Sequence, residues 1–195
     1  MWALVEDNAI TKIINKPKGM VIDDIRYSKK IFSLWSTEEL EAKGIYEVVF
    51  DNSNKKDEEY YINTNQSFDY ADGQVTASYG TATPKELEDR NATDEAGEEL
   101  DPVVVIEGLK TQHKRVIKNQ ASGLLAPTDW YVIKSSDVAE YSVPSAVSTF
   151  RTNVRTRSNE METAIDNASD VDALAALYVY TDGEIPLGEW PLLEV

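Results

Sequence analysis

Apolar and polar positions alternate through the early part of the chain, whereas in the later part apolar residues return at helical spacing. Trp2-Ala3-Leu4-Val5 and Ala9-Ile10-Thr11-Lys12-Ile13-Ile14 are strand-like runs around the turn composition Glu6-Asp7-Asn8, which predicts a hairpin. Lys16-Pro17-Lys18-Gly19 breaks the pattern. Ile31-Phe32-Ser33-Leu34-Trp35 continues the strand character. Ser36 with Glu39 fits a capping box and Gly44 fits the residue after a helix, so a short helix is predicted at about 37–43. Ile45 to Phe50, Glu59 to Thr64, Gln66 to Tyr70 and Gln74 to Tyr79 read as further strands, with Asp72-Gly73 as a hairpin turn.

Pro84 to Arg90 suggests a helical turn with Pro at its first position. From Ile106 the period changes. Ile106, Leu109, His113, Val116, Ile117, Gln120 and Leu124 fall on one helical face, with Lys110, Lys114, Arg115 and Lys118 largely opposite. Pro127 stops this helix, and Trp130-Tyr131-Val132-Ile133 is a short apolar run. A second helix starting near Pro144 presents Val147, Phe150, Val154, Met161, Ala164 and Ile165. A third, at about 170–178, presents Val171, Leu174, Leu177 and Tyr178, with Ser169 and Asp172 as its cap. The segment 185–193 is apolar, Pro-containing and non-helical, and must dock on its own body or on a partner. The expected fold is α+β: a β-rich, mostly antiparallel module (1–83), an acidic linker or exposed loop (84–104), and a helical region with an apolar tail (105–195).

Charge sharpens that division. Of 195 residues, 35 are acidic and 19 basic, a net charge of −16. Residues 1–50 are nearly neutral, and most of the excess lies in 51–101, which carry 14 acidic and 4 basic side chains. Nucleic acid and anionic membrane surfaces are poor partners for such a chain, since both are bound through Lys and Arg. No run approaches the roughly 18–20 apolar residues that span a bilayer. The start, Met1 to Asp7, lacks the basic and apolar regions of a secretion signal. The expected place of synthesis is the cytoplasm.

Candidate chemistry is thin. There is no cysteine and one histidine, His113, so thiolate chemistry and multi-histidine metal sites are excluded. A Ser-His-Asp triad would have to use His113, which reads instead as a helix-boundary or surface residue. Asp51 to Asp57 begins like a calcium loop, but Lys55 stands where an oxygen ligand belongs and the following Gly is missing. No phosphate-binding glycine motif occurs. No cofactor, metal or small-molecule substrate is expected. The basic face from Lys110 to Lys118 reads as a solvated helix face or as a contact for acidic surface, including residues 94–101. The aromatic residues Tyr60, Tyr61 and Tyr70, with Trp190 and Leu192 of the tail, are the candidate partner-binding residues.

One stretch is more specific. Leu124-Leu125-Ala126-Pro127-Thr128-Asp129-Trp130 is followed about twenty residues later by Phe150-Arg151-Thr152-Asn153-Val154-Arg155. This resembles a pattern near the C-terminus of tail fibre assembly proteins and related tail proteins of tailed bacteriophages, over about thirty residues. Phe150 stands where that pattern has Tyr, and Ser135 to Tyr141 lengthens the link. The resemblance implies a non-enzymatic tail protein. It would be an assembly factor or small structural component at the fibre or baseplate, found in the virion tail or in the host cytoplasm during assembly. Other tail proteins, or further copies of itself, would be its partners. Read physically, Asp129 fixes the turn after the long helix, Trp130 plugs the junction between helices, and Arg151 and Arg155, one turn apart, clamp Asp129 or nearby carbonyls. The rival readings are a carbohydrate-binding module using Tyr60, Tyr61 and Tyr70, and a carboxylate-dependent glycan hydrolase.

Overall fold

Hairpins closed by Asp-X turns build the first part of the chain. In the computed structural model, which describes residues 1–194, β1 (Trp2–Glu6) and β2 (Ala9–Ile14) pair antiparallel around Asp7 and Asn8, both in the left-handed region at φ 51° and 61°. Such turns match the natural twist of paired strands, and Asp and Asn tolerate them best after Gly. A second hairpin, unforeseen in the sequence pattern, joins β3 (Met20–Ile22) to β4 (Ile25–Tyr27) through Asp23 and Asp24 at φ 49° and 60°.

The apolar run at 31–35 is helical and does not form a strand. Its first four residues make α1 (Ile31–Leu34), with Ile31 buried and Phe32 tilted on Trp2 at 4.9 Å. Helix α2 (Thr37–Glu41) opens on the expected capping box: Glu39 N–H donates to Ser36 Oγ at 3.2 Å and Ser36 N–H donates to Glu39 Oε2 at 2.8 Å. Beside it the Glu38 carboxyl is held below its usual range, first by its own backbone N–H and then by the Ser36 hydroxyl. Gly44 then turns the chain at φ 72° into β5 (Ile45–Asp51).

Of the strand expected at 59–64 only β6 (Tyr61–Ile62) forms. β7 (Ser67–Ala71) and β8 (Gln74–Ser78) make the hairpin predicted around Asp72-Gly73. Five strands form one sheet in the order β2-β1-β5-β8-β7, antiparallel throughout except for a parallel β5–β8 pair that matches Val48 to Val75. The sheet curls until its edge strands β2 and β7 make contact. Alternation along β1 divides the core. Leu4 packs with Ile14, Met20, Ile22, Ile31, Leu40 and Ile45, while Ala3 and Val5 pack with Val48, Val75 and Ala77.

The chain divides into two units, Met1–Thr83 and Pro84–Val195, with β9 (Thr83–Pro84) at the boundary. Residues 84–104 are therefore the exposed first part of the second unit. No helical turn forms at 84–90. Instead the carbonyls of Glu86 and Leu87 accept from the Leu109 and Lys110 N–H groups, and Asp89 accepts from Gly108 N–H at 2.8 Å. These bonds satisfy the open N–H groups of the next helix. They also hold Asp89 ionised below the usual carboxylate range, with the Gly108 bond as the main cause. β10 (Arg90–Asn91) pairs antiparallel with β11 (Val105–Ile106), so Ile106 belongs to a strand and not to the helix predicted to include it.

Helix α3 (Leu109–Leu125) packs on α5 (Ser145–Asp166). Leu109, His113, Ile117 and Ala121 are buried on α3; Val147, Phe150, Val154, Met161 and Ile165 are buried on α5. Val116, assigned to the apolar face by spacing, points to solvent. A 3-10 turn over Ala126–Thr128 leads into α4 (Asp129–Asp137), which takes up the apolar run from Trp130 to Ile133. α6 (Val171–Ala176) is capped by Asp170, whose carboxylate accepts from Ala173 N–H at 2.7 Å. The expected Ser169–Asp172 cap is not used, because Asp170 has the extended backbone of a cap residue. Among the described residues no helix is long and apolar enough to cross a membrane.

Candidate functional site

Leu125, Thr128, Asp129 and Arg151, from the stretches at 124–130 and 150–155, meet at one junction of the second unit. Pro127 has no N–H to continue the α3 ladder, so the chain tightens and re-enters a helix at Asp129. The Leu125 carbonyl is one of the acceptors that a helix end leaves open. Thr128 Oγ1 donates to it at 2.7 Å, and Arg151 Nη1, reaching across from α5, donates to it at 3.0 Å. The same guanidinium nitrogen donates to Thr128 Oγ1 at 2.6 Å and pairs with Asp129 Oδ1 at 2.8 Å. Arg151 and Thr128 are both buried. A cation at a helix C-terminus also meets the negative end of its dipole.

Two expected roles differ in the structure. Trp130 does not plug the junction: it is 50% exposed and lies against Tyr131 with ring centroids 3.8 Å apart. Thr128 and Arg151 fill the interior position, and the hydroxyl was the signal overlooked between Pro127 and Asp129. Arg155 does not join Arg151 on Asp129; it is exposed and donates to the Arg151 carbonyl at 3.2 Å. Helix α4 has no buried residue. It offers Trp130, Val132 and Ile133 to solvent, with Lys134 over the Tyr141 ring at 4.3 Å.

The tail docks on its own unit. Trp190 and Leu193 pack with Leu124 and Leu125 against Ala121, Phe150 and Val154. Trp190 Nε1–H donates to Gln120 Oε1 at 3.1 Å, a side chain that the helical spacing had placed on the same face as Leu124. Leu187 is buried, but Leu192 stays 86% exposed. An open cleft of about 260 Å³ beside the tail is lined by Asn153, Thr156, Arg157, Glu160, Glu189, Trp190 and Pro191. One of its two carboxylates, Glu160, is held by Arg157 at 3.0 Å.

The other candidates fall elsewhere. Tyr60, Tyr61 and Tyr70 belong to the first unit. Tyr60 is buried, so it offers no ring to a partner. Tyr61 lies under Lys56 at 5.9 Å. The Tyr70 and Tyr46 hydroxyls are hydrogen-bonded at 3.0 Å, which raises the Tyr46 pKa above the usual phenol value. Burial, with Glu59 and Asp57 nearby, pushes the Tyr60 phenol up to about 12. One phenol is therefore expected to ionise near pH 12, well above the ordinary value of about 10. Because the folded-state pKa is the higher one, the neutral phenol's contribution to stability is complete below about pH 10 and is lost as pH rises through 12. A tyrosinate absorbance titration that is the same for the protein and for Tyr60→Phe would refute this.

His113 is a buried residue and not a surface one; its Nδ1 lies 2.8 Å from the Tyr178 hydroxyl. The basic face of α3 meets carboxylates other than those at 94–101. Lys110 pairs with Glu88, Lys114 with Asp166, Arg115 with Glu107 and Lys118 with Glu162. The Asp166 contact, chief among several carboxylates, raises the Lys114 pKa. Asp51 accepts from Ser53 N–H at 2.9 Å in a local turn. Among the described residues no group of three His, Asp or Glu side chains is placed to hold a metal ion. Comparison with protein-family models, with curated proteins and with solved structures gives no match.

Proposed function

We propose that this chain is a non-enzymatic docking protein of a bacteriophage tail, either a fibre assembly factor or a small component at the fibre or baseplate. The observation that carries the reading is how the junction spends its groups. The Arg151 guanidinium, Thr128, Asp129 and the Leu125 carbonyl satisfy one another internally, while Trp130, Val132, Ile133 and Leu192 face water. A catalytic site keeps polar groups open to its substrate. This junction does the reverse, and exposed aromatic and aliphatic side chains on a helix are what a protein partner desolvates. The resemblance at Leu124–Trp130 and Phe150–Arg155 supplies the biological setting. In that setting the partners are other tail proteins or further copies of the chain. The carbohydrate-binding reading is the weaker one, since Tyr60 is buried and the Tyr70 hydroxyl is engaged with Tyr46.

The test is affinity capture from cells assembling the phage particle, with mass spectrometry of what is bound. Named fibre or baseplate proteins are expected with the native chain. They should be lost with the double variant Trp130→Ser, Ile133→Ser, which leaves the circular dichroism unchanged because both positions are exposed. Recovery of free monomer alone, or an undiminished catch by the variant, overturns the proposal.

A further inference from the structure

A different surface of the second unit carries a second inference. Val103, Val104, Val105 and Ile106 are consecutive and between 42% and 57% exposed. In a strand, neighbouring side chains point to opposite faces, so β11 is open on both. Its backbone pairs with β10 on one edge, through Arg90↔Ile106 and Asn91↔Val105, with the Val104 carbonyl accepting from Ala92 N–H at 2.7 Å. Among the described residues the β10–β11 sheet has these two strands alone, and no strand lies along the outer edge of β11. A β-branched edge of this kind is a template for another extended chain, and proteins normally blunt such edges with charge or Pro.

Charge identifies the occupant. The segment leading into β11 carries Glu95, Glu98, Glu99 and Asp101, and none of these has a cationic partner among the described residues. Glu99 is fixed beside the hairpin, since it bridges Thr93 and accepts from Asn91 Nδ2 at 3.0 Å. By contrast, Glu107 just beyond β11 is already neutralised by Arg115. A second copy would bring the same carboxylates against these and be repelled. We infer that β11 is a strand-addition site for an extended, β-branched segment of another protein flanked by Lys or Arg. Main-chain bonds to the open edge would give affinity, the alternating side chains would cover Val103 to Ile106, and the basic flanks would meet Glu98, Glu99 and Asp101. The inference uses none of the junction residues and stands apart from the tail reading.

The test uses the full chain and a short synthetic peptide of alternating Val and Thr with Lys at both ends. In a backbone amide NMR titration, the signals of Val103, Val104, Val105 and Ile106 are expected to shift saturably. The triple variant Glu98→Gln, Glu99→Gln, Asp101→Asn should weaken binding about tenfold, as three modest exposed pairs imply. A peptide with Glu ends should not bind. Absence of shifts at 103–106, equal binding by the Glu-ended peptide, or equal binding by the triple variant would each overturn the proposal. So would shifts at 103–106 that follow the protein's own concentration without peptide, which would make a second copy the occupant.

Discussion

Arg151→Ala is expected to destabilise the second unit by about 2–4 kcal/mol, because the cation has three acceptors and hardly any solvent. Its Nη1 lies within 3.0 Å of Leu125 O, Thr128 Oγ1 and Asp129 Oδ1. One guanidinium nitrogen has two hydrogens, so the three bonds share them. Removal leaves the Leu125 carbonyl dependent on Thr128 alone, and opens space between α3 and α5 beside Phe150. The ion pair is the smaller part of this cost. Asp129 is 55% exposed at its side chain, so Asp129→Asn should cost less than about 1 kcal/mol. Arg151→Lys keeps a charge but not the fork, and should fall between the two. Urea unfolding at constant m-value gives the order. If Asp129→Asn proved as costly as Arg151→Ala, the pair and not the carbonyl bond would hold the junction.

That junction also marks what was legible in the chain before its structure. Only half of the expected clamp forms: Arg151 reaches Asp129 and the Leu125 carbonyl, whereas Arg155, one turn on, bonds the Arg151 carbonyl instead. The expected position of Trp130 is not taken. A Trp beside a turn usually fills the core, but here the re-entry into α4 rotates it outward, and the smaller Thr128 takes the interior. Local signals were reliable wherever one residue type has few alternatives: Asp7-Asn8 and Asp72-Gly73 at left-handed turns, Ser36 and Glu39 in the capping box. Asp23-Asp24 went unread because two consecutive Asp residues adopt that turn less readily than a pair ending in Gly.

Non-local pairing was the main loss. Nothing in Ile45–Asp51 or Gln74–Ser78 states that they lie parallel, because the choice depends on what covers the sheet and on the chain between them. Short apolar runs were ambiguous for a related reason. Ile31–Leu34 and Trp130–Ile133 each span about one helical turn, too few residues for period 2 and period 3.6 to separate. In the opposite sense Ile106 fits the α3 period but is held in β11, since Asp89 binds Gly108 N–H and starts the helix only at Leu109.

The first unit has its own narrow point, and Gly44→Ala should cost it about 3 kcal/mol or more. Two separate penalties meet there. The residue holds φ 72°, which an L side chain resists. A Cβ at this position would also lie far inside contact distance of the Val5 carbonyl oxygen. Neither side can yield cheaply. Gly44 O accepts from Val5 N–H at 2.8 Å, and Leu4 is paired with Ile45 at the register shift between Leu4 and Val5. Pushing Val5 away would disturb the strand whose two faces anchor both halves of the core. Gly73→Ala separates the penalties. Gly73 has a similar φ of 78° with nothing within 4 Å of the added carbon, so only the backbone term, about 1 kcal/mol, should appear. The difference between the two variants in urea midpoint, at unchanged m-value, measures the contact with Val5. Equal losses would mean that β1 shifts freely, and that Gly44 does not fix where the sheet meets the end of α2.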